Sequence, residues 1–254
     1  MKLLMIGDVI SQIGCDYLRQ KLPGFKREHC VDMVIANGEN SAVGNGILPK
    51  SADFLFDSGV DVVTTGNHVY KRREILDYFE ERPALIRPAN FRSECAGTGY
   101  YLYETVMYRI CVINLLGQSF MEPVGCPYEA VDRILAEVQA DAYVVDIHAE
   151  ATGEKGALGY YLDGRVAAVL GTHTHVQTAD ERILSQGTAF ISDVGMTGPI
   201  DSVLGVRPEC VIQRMRFHIP TRFETAEGPC MMQGVLLDIE EKTGKCRAIE
   251  RISC

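Results

Sequence analysis

Gly171-Thr-His-Thr-His175-Val-Gln-Thr-Ala-Asp180 is the stretch on which the chain turns. It follows Arg165-Val-Ala-Ala-Val-Leu170, an apolar, β-branched run that reads as a buried strand. Gly171 is read as the point where the chain leaves that strand through a conformation a bulky residue would resist. His173 and His175 are separated by one residue. If the backbone stays extended, alternate side chains share a face and both rings reach one site. A lone histidine is commonly a satisfied polar group. A pair at a strand exit points to metal, because neutral imidazole is the commonest protein ligand for it.

Outward from this stretch the chain alternates strands and helices. Lys2-Leu-Leu-Met-Ile6 is a buried strand ending at Gly7-Asp8. The spacing of Tyr17, Leu18, Leu22 and Phe25 predicts a helix over Cys15–Lys26, which Pro23-Gly24 should end or distort. Val31–Ala36 and Val60–Thr64 read as strands, running into Asn37-Gly-Glu-Asn40 and Thr65-Gly-Asn-His68. Helices are expected over Pro49–Ser58 and Arg72–Glu81. Strand, helix, strand, helix, strand is the order of an α/β layered domain. Tyr100–Tyr103 and Tyr108–Asn114 then read as an antiparallel pair, and Tyr128–Gln139 as an amphipathic helix. Ala142–Ile147 is a strand that delivers His148, and Ala149–Leu162 can hold a helix. Thr188–Ile191, Met231–Asp238 and Cys246–Ile252 complete the strands. Ser41–Gly46, Leu116–Pro127 and Gly195–Pro199 are read as loops rimming a site. No linker or repeat divides residues 1–254, so one domain is expected.

Composition excludes several classes. A net charge of −9 argues against bulk nucleic-acid or anionic-membrane binding, though a bound cation can reverse the field locally for an anionic small molecule. No apolar run approaches the roughly 20 residues of a membrane helix, and Met1–Asp8 is too short for a signal peptide. The 9 cysteines are scattered without a C-x-x-C pair, which fits reduced thiols and a cytoplasmic location.

Chemistry enters through the polar residues at strand ends. Asp8, Glu39, Asn67, His148 and the His173/His175 pair each fall within a few residues of a buried strand's end. In open α/β sheets, ligands gather at the carboxyl ends of strands. Singly, Asp8 and Glu39 could be caps and Asn67 a turn residue beside Gly66. Together they aim oxygen and nitrogen donors at one edge. Such a set, with no thiolate, suits Fe, Mn or Zn. It is too large for one open catalytic metal and sufficient for two bridged by a carboxylate. Two cations about 3.5–4 Å apart would clamp an in-line displacement at phosphorus and lower the pKa of a bridging water. His68, next to Asn67, is the candidate to protonate the leaving oxygen, with an outer hydrogen bond as its alternative role. His29 and His218 match no pattern and receive no role.

Gly7-Asp8, Gly38-Glu39-Asn40, Gly66-Asn67-His68 and Gly171–His175 together resemble the calcineurin-like metallophosphoesterases. Asp146-Ile-His-Ala-Glu-Ala-Thr152, Tyr161-Leu-Asp-Gly164, Gly171–Asp180 and Asp193–Pro199 narrow the resemblance to the bacterial YmdB-type phosphodiesterases. The resemblance implies a four-layer α-β-β-α sandwich, a di-iron centre and hydrolysis of cyclic nucleotides, 2′,3′-cyclic ones favoured. By matching motif, Asp8, Glu39, Asn40 and His175 would hold one metal. Glu39, Asn67, His148 and His173 would hold the other, with Glu39 bridging and His68 as proton donor. Two departures from the broad superfamily fit the subfamily. The usual Asp-x-His opening is Asp8-Val-Ile10, and the bridging carboxylate is Glu. Asn40 would replace the missing imidazole or orient substrate. A phosphomonoesterase and a metal-dependent nucleotide sensor are the rival functions, and self-association is the family expectation.

Overall fold

Two β-sheets lie face to face, and the reason is visible along single strands. The structure, a computed structural model, describes residues 1–106 and 108–254. In β1 (Lys2–Ile6), Leu3 and Met5 enter the core between the sheets, while Leu4 and Ile6 face the helices outside. A strand's side chains alternate between faces, so a strand apolar at every position needs cover on both. β2 (Asp8–Val9) follows, then α1 (Ser11–His29), and β3 (Met33–Asn37) repeats the pattern, Met33 and Ile35 inward, Val34 and Ala36 outward. α2 (Pro49–Asp57), β4 (Val62–Thr64) and α3 (Ile75–Glu81) complete the first half.

The second half opens with β5 (Tyr100–Glu104), antiparallel to β6 (Arg109–Leu116) as expected. α4 (Pro127–Glu137), β7 (Ala142–His148), α5 (Thr152–Tyr161) and β8 (Ala168–Thr172) follow. Then come β9 (Arg182–Ile183), β10 (Ala189–Ile191), β11 (Met196–Pro199) and α6 (Pro208–Phe217). β12 (Cys230–Ile239) and β13 (Cys246–Ser253) end the chain.

One sheet runs β2-β11-β12-β1-β3-β4, with β13 also on β12; the other runs β5-β6-β7-β8-β10-β9. Ile110, Val112, Val144 and Leu170 of the second sheet meet Leu3, Met5 and Val235 of the first. Leu18, Leu22, Leu55 and Ile75 cover the first sheet's outer face, and Val131, Ile134 and Leu158 cover the second's. The result is a four-layer α-β-β-α sandwich. No helix among the described residues is long and apolar enough to cross a membrane.

Four expectations change. α1 passes through Pro23, because Pro23 and Gly24 sit on its solvent side, where the carbonyl that loses its donor is free to be hydrated. Gly195–Pro199 is not a loop: Met196–Pro199 is paired on both edges, parallel to β2 and antiparallel to β12. Its glycine and proline read as a turn, but long-range pairing decides. The Arg72–Glu81 helix begins only at Ile75. The Arg165–Leu170 strand is shifted to Ala168–Thr172, so Gly171 lies inside β8. A Cβ at Gly171 would stand 1.8 Å from the Ser192 carbonyl oxygen, so close approach of backbone, not an exit bend, excludes a side chain there.

Candidate metal centre

All seven predicted ligands come to one place, where the carboxyl ends of the two sheets meet. The first sheet and the loops after its strands supply Asp8, Glu39, Asn40 and Asn67; the second supplies His148, His173 and His175. Asp8, Glu39 and His148 are buried, at 0%, 1% and 0% exposure. Ligand atoms of Glu39, His148 and His173 all lie within 4.8 Å of one another.

The two histidines that opened the reading do not converge by extension. His173 and His175 have φ of 99° and 63°, in the left-handed region, so the chain coils as it leaves β8. Side-chain anchors hold this unfavourable backbone. The His173 N–H donates to Asp8 Oδ2 (3.1 Å), and the Thr174 N–H and hydroxyl both donate to Asp193 Oδ2 (3.0 and 2.8 Å). Asp193 is itself paired with Lys155 Nζ at 2.9 Å, a fully buried ion pair.

The outer partners of the imidazoles decide where their lone pairs point. Thr172 Oγ1 gives its single proton to Asp146 Oδ1 (2.7 Å), so it can only accept from His148 Nδ1 at 2.9 Å. His175 Nδ1 faces the Leu204 carbonyl at 3.1 Å, which can only accept. His173 Nε2 lies 3.2 Å from Glu150 Oε2. Each ring thus has an acceptor behind one nitrogen and turns the other nitrogen inward, the orientation outer partners impose on metal-bound histidine.

These inward nitrogens face other acceptors. His148 Nε2 stands 3.1 Å from His173 Nδ1, 3.0 Å from Glu39 Oε1 and 3.2 Å from Asn67 Oδ1. His175 Nε2 stands 3.4 Å from Asp8 Oδ1. So many acceptors, buried together, require positive charge. The titration behaviour says the same. Burial disfavours a charged His148, yet the Glu39, Asp8 and Asp146 carboxylates outweigh it and raise its pKa to about 9. His175 is raised against its burial by Asp8. Asp8 and Glu39 are held low against burial, chiefly by His175 and His148 respectively. His173 is lowered by burial and by the neighbouring His148 charge. The donor set fits hard or borderline cations, and all its members are nitrogen or oxygen. Asn40 Nδ2 points its protons at Asp8 Oδ1, Glu39 Oε1 and His175 Nε2, each at 3.3 Å. To act as a ligand it must turn its amide over and present Oδ1.

Gly66 makes room for this packing. A Cβ there would lie 2.3 Å from His148 Nε2 and 2.5 Å from Glu39 Oε2. The next residues then serve the site: the His68 N–H donates to Glu39 Oε2 at 2.9 Å, and the His68 ring lines a cavity of about 340 Å³ with Glu39, Asn40, His173 and His175. Burial lowers the His68 pKa, and the Glu39 charge opposes that only in part.

The chain matches the YmdB family, described as YmdB-like protein, over residues 4–252. The chain belongs to the YmdB-like family. Among YmdB-like relatives, the "2′,3′-cyclic-nucleotide 2′-phosphodiesterase" of Bacillus subtilis is 45% identical over 254 residues, covering 99% of this chain and 96% of that protein. A crystal structure titled as a novel phosphatase of Mycoplasma pneumoniae superposes with a TM-score of 0.95 at 33% identity, covering 100% of this chain and 93% of that one. The NAD nucleotidase NadN of Haemophilus influenzae shares the fold, with a TM-score of 0.60, 12% identity and coverage of 100% of this chain and 55% of its own.

Some site residues escaped the sequence reading. Asp146, Thr172, Lys155 and Asp193 position the imidazoles, yet received no role. A lysine at 155, three and seven residues before Leu158 and Leu162 on the buried face of α5, was the available signal. The rim also differs. Ala42, Gly44 and Asn45 of the Ser41–Gly46 loop line the cavity, but no residue of Leu116–Pro127 does, although the Glu122 charge reaches His68. Leu204–Val206 and Phe223–Thr225 form the rest of the rim. His29 stacks on Phe25 (ring centroids 4.1 Å apart) and His218 ends α6 in a left-handed turn, both outside the site.

Proposed function

We propose that this YmdB-like hydrolase opens 2′,3′-cyclic nucleotides at a di-metal centre. Three imidazoles gathered on two buried carboxylates carry this reading, since so dense a buried set of nitrogen and oxygen ligand atoms calls for positive charge, which a pair of cations would supply. Asp8, Glu39, Asn40 and His175 would hold one cation, and Glu39, Asn67, His148 and His173 the other. Iron is our choice of metal, with manganese or zinc compatible with the same donors. Bound, the pair would supply a water of lowered pKa and neutralise phosphoryl oxygens.

The remaining work belongs to the protein. Glu39 is fixed between the sheets by the His68 N–H and by Asn40. His68 sits on the cavity wall, its N–H tied to Glu39 and its Nδ1 3.5 Å from Asn67 Nδ2, and is the group we assign to protonate the departing ribose oxygen. Burial lowers its pKa, and an arriving phosphate anion acts in the opposite sense. The name of the B. subtilis relative supports the choice of substrate.

The test is turnover of 2′,3′-cyclic AMP against p-nitrophenyl phosphate, before and after chelation, with elemental analysis of the purified protein. Metal-dependent turnover favouring the cyclic ester is expected. Faster turnover of the monoester, or activity surviving complete removal of metal, overturns the reading.

A further inference from the structure

Beside the metal-side cavity, across a shared wall, lies a second cavity of about 810 Å³, more than twice the 340 Å³ of the first. The two share Ser11, Gly44, Asn45, Phe223, Glu224 and Thr225. At the junction stands Phe223, an aromatic ring 50% exposed. Beyond it the wall carries Lys71, Arg72 and Arg222. Arg72 donates to the carbonyls of Val43 (2.6 Å) and Asn45 (3.2 Å), which brings its charge to the junction. None of the three forms a salt bridge among the described residues. Of the acids on that wall, Glu224 is already tied to Arg207 at 2.9 Å, leaving Glu227. In a chain of net charge −9, this is a local surplus of positive charge beside the one site that handles phosphate.

An aromatic platform followed by unpaired cations is how single-stranded nucleic acid is held without sequence readout: a base stacks, and backbone phosphate meets Lys or Arg. We propose that the preferred substrates are RNA 3′ ends carrying a 2′,3′-cyclic phosphate, with the terminal nucleotide at the metals and the preceding phosphate in the Lys71–Arg222 cavity. This rests on the cyclic-phosphate reading above and extends it outward. In the reaction a water oxygen bonds to phosphorus, the bond from phosphorus to O2′ breaks, and O2′ takes a proton. The RNA is left with a 3′-phosphate. A net acidic chain is compatible with this, because the contact covers one or two nucleotides and not a duplex.

The experiment compares kcat/KM on the adenosine dinucleotide ending in a 2′,3′-cyclic phosphate with kcat/KM on 2′,3′-cyclic AMP, using metal-loaded protein. In the unaltered protein the dinucleotide should be favoured by about tenfold, the order of one stacked base. Arg222→Ala should shrink that ratio several-fold, and rising salt should shrink it too, since a phosphate contact releases counterions. A ratio near one, or a ratio indifferent to Arg222→Ala and to salt, overturns the proposal. Absence of turnover on both compounds would instead remove the cyclic-nucleotide reading, and this extension with it.

Discussion

The two sheets bring different chemistry to one edge. The first delivers carboxylates and amides (Asp8, Glu39, Asn40, Asn67) and the second delivers only imidazoles (His148, His173, His175). They are also held differently. Backbone N–H groups grip the acids: His173 holds Asp8 and His68 holds Glu39. On the imidazole side, buried side chains grip the His148 ring, through Thr172 and Asp146, and Thr174 between the other two histidines, through Asp193 and Lys155. Backbone donors come with the fold, whereas buried polar side chains cost free energy unless every one is satisfied. The imidazole half is therefore the half whose supports can be removed one at a time.

His68→Ala tests the acidic half and should have the largest effect. Turnover of 2′,3′-cyclic AMP is expected to drop by about 10²–10⁴, with metal content near normal. Unchanged turnover would strip His68 of its role.

Lys155→Met strikes the other half. It leaves Asp193 buried without its cation and should cost roughly 3–5 kcal/mol of stability in a denaturant melt. A loss below about 1 kcal/mol would mean that the Thr174 and Gly195 donors hold Asp193 on their own.

The smallest change is Asp146→Asn. Asp146 accepts from Thr64, Thr172 and Asn37, and burial pushes its pKa up to about 6 against those hydrogen bonds and the His148 charge. Losing the carboxylate loosens the Thr172 relay to His148, and metal affinity should fall about 10–100-fold in a competition titration with a chelator. Unaltered affinity would show that His148 needs no carboxylate behind it.

Much of this candidate centre was legible because Asp8, Glu39 and Asn67 sit beside glycines at the ends of apolar strands, and that pairing survives in one dimension. Gly66-Asn67-His68 is such a case, with the glycine required by packing against His148 and Glu39. The supports were not legible in the same way. Asp146 and Thr172 look like ordinary polar residues in β7 and β8 until the register sets His148 opposite Thr172. The outer cavity draws on residues from 11 to 227, with no local pattern to announce it.

The sequence alone determined the α/β alternation, the two-sided burial of the strands and the identity of the donors, because hydrophobic periodicity and residue chemistry are local properties. Tertiary structure alone decided that Met196–Pro199 pairs as a strand, that His173 and His175 reach the site through left-handed backbone, and which nitrogen of each ring faces inward. Each of those depends on a partner far away in the chain, and a hydrogen bond between distant segments exists only once the sheets have packed.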